Sequence, residues 1–153
     1  MANPRIAIFP RLADGNVAPT RVIEGGHTRL SRTSHAIAYD DKNDEIVIPN
    51  PLAEAILFYA GGASGDVAPI RKIEGPATRL KKPVGLFVDT KNDEVWATSP
   101  EQHAVTIYRR TAQGNAAPLR ILRGAPDDTP APGIGNPGGI AYDSTREQIL
   151  VPN

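Results

Sequence analysis

Three copies of one segment make up this chain. Asp14-Gly15-Asn16-Val17-Ala18-Pro19-Thr20-Arg21 recurs as Ser64-Gly65-Asp66-Val67-Ala68-Pro69-Ile70-Arg71, and again as Gln113-Gly114-Asn115-Ala116-Ala117-Pro118-Leu119-Arg120. Ile23-Glu24-Gly25 matches Ile73-Glu74-Gly75 and Leu122-Arg123-Gly124. Ala36-Ile37-Ala38-Tyr39-Asp40 matches Gly85-Leu86-Phe87-Val88-Asp89 and Gly139-Ile140-Ala141-Tyr142-Asp143. The copies fall about 50 residues apart, a spacing of stacked supersecondary units, none of which buries its apolar surface alone. They divide the chain into repeats 1–50, 51–99 and 100–153, and the third carries a five-residue insertion within 125–136.

Each copy holds four short apolar runs; in the first they are residues 6–9, 21–23, 36–39 and 46–48. All are too short for helices, rich in β-branched or aromatic residues, and bounded by Gly, Pro, Asn or Asp. Apolar residues fall on both faces of several runs, as at Leu57 with Phe58, Leu86 with Phe87 and Ile149 with Leu150. A strand apolar on both faces belongs to a sheet lying between two others. Four such strands per unit predict an all-β β-propeller, with four-stranded antiparallel blades and three repeats per chain. About a dozen strands and essentially no helix are expected. Pro19, Pro69 and Pro118, each two residues ahead of an arginine, suit outermost edge strands, where a missing donor is harmless and a charge discourages sheet-to-sheet aggregation.

Composition removes several functions. Lys plus Arg numbers 17 and Asp plus Glu also 17, so no global field attracts nucleic acid or an acidic membrane. Aromatics are few and basic residues scattered, against the platforms that stack single-stranded nucleic acid. Without cysteine there is neither a disulfide nor a thiolate nucleophile or ligand. No apolar run approaches membrane-spanning length, and residues 1–10 lack the regions of a signal peptide. The chain is expected to be soluble, with its compartment unassigned.

Pro83-Val84-Gly85-Leu86-Phe87-Val88-Asp89 and Pro137-Gly138-Gly139-Ile140-Ala141-Tyr142-Asp143 resemble the innermost strand of NHL-type repeats. Glu94-Val95-Trp96-Ala97-Thr98 and Ala104-Val105-Thr106-Ile107-Tyr108 resemble the two strands that follow. The resemblance covers nearly the whole chain and implies the six-bladed NHL and SMP-30-like propeller group. Many members bind macromolecules or small ligands, and some are calcium- or zinc-dependent lactonases or lyases. The chain departs from the pattern after the second strand, where an acidic residue and a polar turn give way to Pro49-Asn50-Pro51, Ser99-Pro100 and Pro152-Asn153.

In this phase the chain begins in a third strand and stops after a second, so each terminus is half a blade. Asn153 aligns with Asn50 and Met1 with Pro51. Three blades cannot close a ring, and six is the number in the group resembled. Two chains joined head to tail are therefore expected to form a closed six-bladed homodimer. In it, strands near Ile140 and Ile149 of one subunit pair with strands near Ile6 and Val22 of the other.

Candidate ligand-binding residues gather where the second strands end, at the expected channel mouth: Asn50, Ser99 and Asn153, with Glu54, Glu101 and Gln102 just beyond, and His35 at the start of an innermost strand. Such oxygens suit a divalent cation such as calcium, a sugar or a lactone. Turn formation beside proline explains the same residues without a ligand. Asp40, Asp89 and Asp143 recur in every copy and are read as hairpin caps rather than a carboxylate ring, because a position kept in every unit serves the unit. His27, His35 and His103 occupy different places in the repeat and share no zinc-ligand spacing. Arg29 and Arg79, in matching Thr-Arg-Leu motifs, either take an anion or pack over a sheet edge. No nucleophile elbow, phosphate loop or His-Glu-x-x-His motif is present. The reading that follows is a non-catalytic scaffold with no required cofactor. It assembles with itself and presents a face for a small-molecule or protein ligand, with residues 127–135 of the insertion as a candidate contact loop. The alternative is a metal-dependent lactonase or lyase.

Overall fold

The computed structural model describes residues 3–126, 129 and 133–152, and within them the protein is all-β, with helical geometry confined to single 3-10 turns. Twelve short strands form four antiparallel sheets. An N-terminal ribbon pairs β1 (Arg5–Ile8) with β2 (Arg21–Glu24). The first four-stranded sheet runs β3 (Ala38–Asp40), β4 (Glu45–Asn50), β5 (Ala55–Ala60), β6 (Arg71–Glu74) in chain order. The second repeats it with β7 (Gly85–Asp89), β8 (Glu94–Ser99), β9 (Ala104–Arg109) and β10 (Arg120–Arg123). A C-terminal ribbon pairs β11 (Ala141–Asp143) with β12 (Gln148–Leu150).

The recurrent aspartates make the first hairpin of each unit. Asp40 Oδ1 accepts the backbone N–H of Lys42 (3.1 Å) and Asn43 (3.0 Å). Asp89 does the same for Lys91 and Asn92, and Asp143 for Thr145 and Arg146. Each turn then closes through a residue with positive φ: Asp44, Asp93 or Glu147. These are Asx turns, in which a short carboxylate takes over two donors the ladder cannot satisfy. Arg146 holds the half-buried Asp143 carboxyl below the usual carboxylate range by donating to it at 2.8 Å.

One boundary differs from expectation. The first-repeat inner strand begins at Ala38 rather than Ala36, so His35 lies in the approach to it and not at its start. In the second sheet Gly85 pairs with Thr98, whereas the matching partner of Ala36 would be Pro49. Proline has no N–H, and the ladder stops short of it. Pro152 stands in the same column, and β11 is equally short.

The four sheets pack face to face in chain order. Ile6 and Ile23 of the N-terminal ribbon meet Ile46, Ile48, Leu57 and Tyr59 of the first sheet. Val47, Ile56, Phe58 and Ile73 on its other face meet Leu86, Val95, Ala97 and Tyr108 of the second. Trp96, Val105 and Ile107 then meet Ile140, Tyr142, Ile149 and Val151 of the C-terminal ribbon. Hydrogen bonds reinforce this packing at the outer strands. The Gly65 N–H donates to Val22 O (2.7 Å) and Gly65 O accepts from Glu24 N–H (3.2 Å). Gly114 meets Lys72 O (2.7 Å) and Glu74 N–H (2.9 Å) in the same way. A hairpin of each sheet thus latches onto the outer strand of the sheet before it.

The edge arginines pair with a glutamate of their own sheet, Arg71 largely buried and Arg120 half exposed. Arg71 stacks over the Phe58 ring at 3.4 Å and donates to Glu45 Oε2 at 2.5 Å. Arg120 grips Glu94 with two bonds of 2.5 and 2.8 Å. Each ties the fourth strand of its sheet to the second, across the third.

Tyr59 and Tyr108 are fully buried, and each donates its hydroxyl to the carbonyl of a link threonine, Thr28 at 2.5 Å and Thr78 at 2.6 Å. Burial pushes both phenols up to about 12, from 10.0. A raised folded pKa means the neutral form is favoured in the fold. The stabilisation is complete below the unfolded value near 10 and is lost as pH rises through about 12. The melting temperature should fall steeply over that window. Tyr59→Phe and Tyr108→Phe should each cost about 1 kcal/mol at neutral pH and make the alkaline fall shallower, as followed by thermal melts from pH 7 to 12.

Candidate functional site

Among the expected site residues, Asn50 and Ser99 close buried strands, and Asn50 takes a structural task. Asn50 Oδ1 accepts from Ala53 N–H at 3.3 Å, capping the 3-10 turn Pro51–Ala53, while its Nδ2 donates to Arg29 O at 2.6 Å. The Asn50 side chain therefore ties the β4–β5 turn to the link ahead of its own sheet. Ser99, in the same column, is fully buried and its shorter hydroxyl reaches no partner. Asn153 lies outside the described residues. His35 is exposed in the approach to β3.

The residues beyond the strand ends lie nearer to a ligand-accepting surface. Glu54 and Gln102 line one polar cleft of about 370 Å³, together with Glu74, Arg79 and Lys81. Lys81 bonds Glu54 at 3.1 Å, and the exposed Glu101 pairs with Lys82. The same cleft recurs one repeat earlier, lined by Pro4, Glu24, Gly25 and Arg29. The candidate residues thus divide: Glu54 and Gln102 share a cleft, and Asn50 and Ser99 are built into the strand ends. No cluster of three or more His, Asp or Glu able to hold a metal occurs among the described residues.

The three histidines stay apart. His27 donates its backbone N–H to Asp66 Oδ1 at 2.8 Å, and its ring Nδ1 lies 2.7 Å from Oδ2. That contact holds the Asp66 carboxyl below its ordinary value. His103, at positive φ after the turn Pro100–Gln102, sets its Nδ1 against the carbonyl of Gly135, and so anchors the end of the insertion. Arg29 donates to Glu74 at 2.6 Å, an ion pair between the link of one repeat and the outer strand of the next. The threonine of that motif folds the link itself: Thr28 Oγ1 donates to Gly25 O at 2.8 Å, and Arg29 follows with φ 60°.

A second surface emerges only when the three copies are compared column by column. Leu150 is 49 % exposed, whereas its counterparts Val47 and Trp96 are 1 % and 2 %. Leu122 is 41 % exposed, against 0 % for Ile23 and Ile73. Phe9 is 48 % exposed, against 0 % for Tyr59 and Tyr108. Ile37 is 56 % exposed, against 8 % for Leu86. All four lie at the two ends of the stack, where a neighbouring sheet or strand is missing. At the N-terminal end the free edge of β1 opens an apolar cleft of about 400 Å³, lined by Ile6, Ala7, Ile8, Ile37, Tyr39 and Ile46. By contrast Ile70 and Leu119 are exposed in both complete sheets and belong to the ordinary rim. This surface could have been found in the sequence by asking which columns the complete sheets must bury; the individual apolar runs do not reveal it.

The chain matches no protein-family model and no curated protein sequence. No helix among the described residues is long and apolar enough to cross a membrane.

If Asn50 is a structural cap, Asn50→Ala should destabilise the protein by about 1–2 kcal/mol, read by urea denaturation, with the far-UV β signature unchanged below the transition.

Proposed function

We propose that the protein is a non-catalytic β-propeller scaffold of the NHL-like kind. Two chains join head to tail into a six-bladed ring that presents a ligand- or protein-binding face. The observation that carries this reading is the mismatch in burial between equivalent columns. Phe9, Ile37, Leu122 and Leu150 are exposed at the ends of the stack while their counterparts inside it are buried. Apolar exposure gathered at the ends of the stack in this way supports an interaction surface. The two ends are also complementary in kind. The N-terminal ribbon carries the third and fourth strands of a sheet and the C-terminal ribbon the first and second, as the registers within the complete sheets define them. Joining one to the other makes a third kind of four-stranded sheet, and a two-fold axis makes it twice.

The face proposed for binding is the one bearing the polar clefts at Glu54, Glu74, Arg79 and Gln102 and at Glu24 and Arg29, since a ring would repeat such clefts around its rim. Their mixed charges and hydrogen-bonding groups suit a polar small molecule or a protein loop. The proline-rich insertion, whose described end is fixed by the buried Ile134 and by His103, breaks the repeat and offers a further contact.

Light scattering is expected to give twice the 16.3 kDa chain mass at micromolar concentration. The melting temperature should rise with protein concentration, because seams of on the order of 2,000 Å² couple dissociation to unfolding. Ile6→Asp and Ile149→Asp should each abolish the dimer. A stable monomer of the unaltered chain refutes the assembly. Lactone turnover on addition of calcium or zinc, lost in Glu54→Ala, refutes the non-catalytic reading.

A further inference from the structure

We propose that the two chains close through one defined register and a hairpin latch, in which Ile149 of one chain lies opposite Phe9 of the other and the Gly15 hairpin docks on the partner's β10 at Leu122. This rests on the head-to-tail dimer above and specifies its contacts. The chain already makes the same junction inside itself. In both complete sheets the second strand pairs with the third in one register, Ile46↔Tyr59, Val47↔Phe58 and Ile48↔Leu57, then Val95↔Tyr108, Trp96↔Ile107 and Ala97↔Thr106. β1 is the counterpart of β5 and β9, since Arg5 pairs with Glu24 as Ala55 does with Glu74 and Ala104 with Arg123. β12 is the counterpart of β4 and β8, since Gln148 pairs with Asp143 as Glu45 does with Asp40 and Glu94 with Asp89. Carrying the register across sets Gln148 opposite Pro10, Ile149 opposite Phe9, Leu150 opposite Ile8 and Val151 opposite Ala7. Leu150 then enters the apolar cleft beside Ile6, Ile8 and Ile37, the one opened by the free edge of β1.

The latch follows from the same comparison. Gly65 and Gly114 each exchange two backbone hydrogen bonds with the outer strand of the preceding sheet, around Ile23 and Ile73, and both of those side chains are fully buried. Gly15 has the same left-handed backbone, φ 67° against 76° and 60°, and makes no such bridge among the described residues. Leu122, in the column of Ile23 and Ile73, is followed by the two-stranded β11–β12 ribbon, which holds no link between a third and a fourth strand to supply a latch. The hairpin that would cover Leu122 is the partner's Gly15.

Three sequence differences fall together on this junction. The arginine of the outer strand pairs with a glutamate on the second strand within each complete sheet, Arg71 with Glu45 and Arg120 with Glu94. In the shared sheet the pair is Arg21 with the partner's Gln148, so the ion pair becomes a hydrogen bond of lower strength. Phe9 replaces the tyrosine whose hydroxyl reaches the Thr-Arg-Leu link, and the link that Phe9 would meet is the one that lacks this motif. In the proposed junction the missing hydroxyl and the missing acceptor motif come together, as Phe9 packs on the third repeat of the other chain.

The chain has no cysteine, so engineered pairs report the register directly. Opposed positions of an antiparallel pair lie within disulfide reach. Pro10→Cys/Gln148→Cys should form, under an added oxidant, a covalent dimer and nothing larger. Ala7→Cys/Leu150→Cys, whose side chains point to opposite faces, should stay unlinked. A ladder of higher bands or a covalent trimer would overturn two-fold closure. A dimer by light scattering that cross-links only in Ala7→Cys/Leu150→Cys, or in neither variant, would overturn the register while leaving the dimer standing. A monomer by light scattering for the unaltered chain would overturn both. Independently of the cysteines, Gln148→Glu should restore the ion pair and lower the dimer dissociation constant about tenfold, and this gain should vanish in Arg21→Met. No gain from Gln148→Glu, or a gain that survives Arg21→Met, would overturn the register.

Discussion

Everything in this protein depends on the burial of a sheet from both sides. In β4, β5, β8 and β9 successive residues point to opposite faces, and both sets are apolar, so neither face can meet water at low cost. A sheet of this kind is stable only between two others. The first sheet is covered by the N-terminal ribbon and by the second sheet, and the second by the first and by the C-terminal ribbon. Each unit therefore lends a face to its neighbour, and the debt passes along the stack to its two ends. The exposed Leu122 and Leu150 at one end and Ile37 and Phe9 at the other lie at the two-stranded ribbons, which hold half the strands of a complete sheet.

Polar residues inside the stack serve backbone geometry. The aspartates after the inner strands, the threonines of the links and Asn50 each satisfy main-chain groups at points where the ladder is broken. The arginine–glutamate pairs do something different, tying the outermost strand to the second across the third, with the guanidinium of Arg71 stacked on Phe58. This division explains why residues recurring in every copy, such as Asp40, Asp89 and Asp143, turn out to hold hairpins. Positions at which the copies diverge, such as Gln148, Phe9 and the insertion, fall at the ends of the stack.

The candidate channel-mouth residues were only partly legible. Glu54 and Gln102 line one cleft, a pairing across two repeats that their spacing does not show. Asn50 was visible as a polar residue beside proline, but its bond to the Arg29 carbonyl, contributed by a link 21 residues away, could not be read from spacing. The pairing of Arg71 with Glu45 and of Arg120 with Glu94 was equally hidden. A cation at the start of an outer strand reads as an edge charge until the glutamate of the second strand is seen to lie within reach.

From its sequence alone the protein is determined to be a repeat of four short strands apolar on both faces, with hairpins capped by aspartate. That much follows because hydrophobic periodicity and turn chemistry are local: they need only the residues themselves and their near neighbours. Tertiary structure decided which of those apolar residues are covered. Ile23 and Leu122 occupy the same column in chemically similar strands, yet one is sealed beneath the Gly65 hairpin and the other is open to solvent. The difference lies in whether the link between the third and fourth strands of the following sheet docks there, a contact between segments about 40 residues apart that no local pattern encodes.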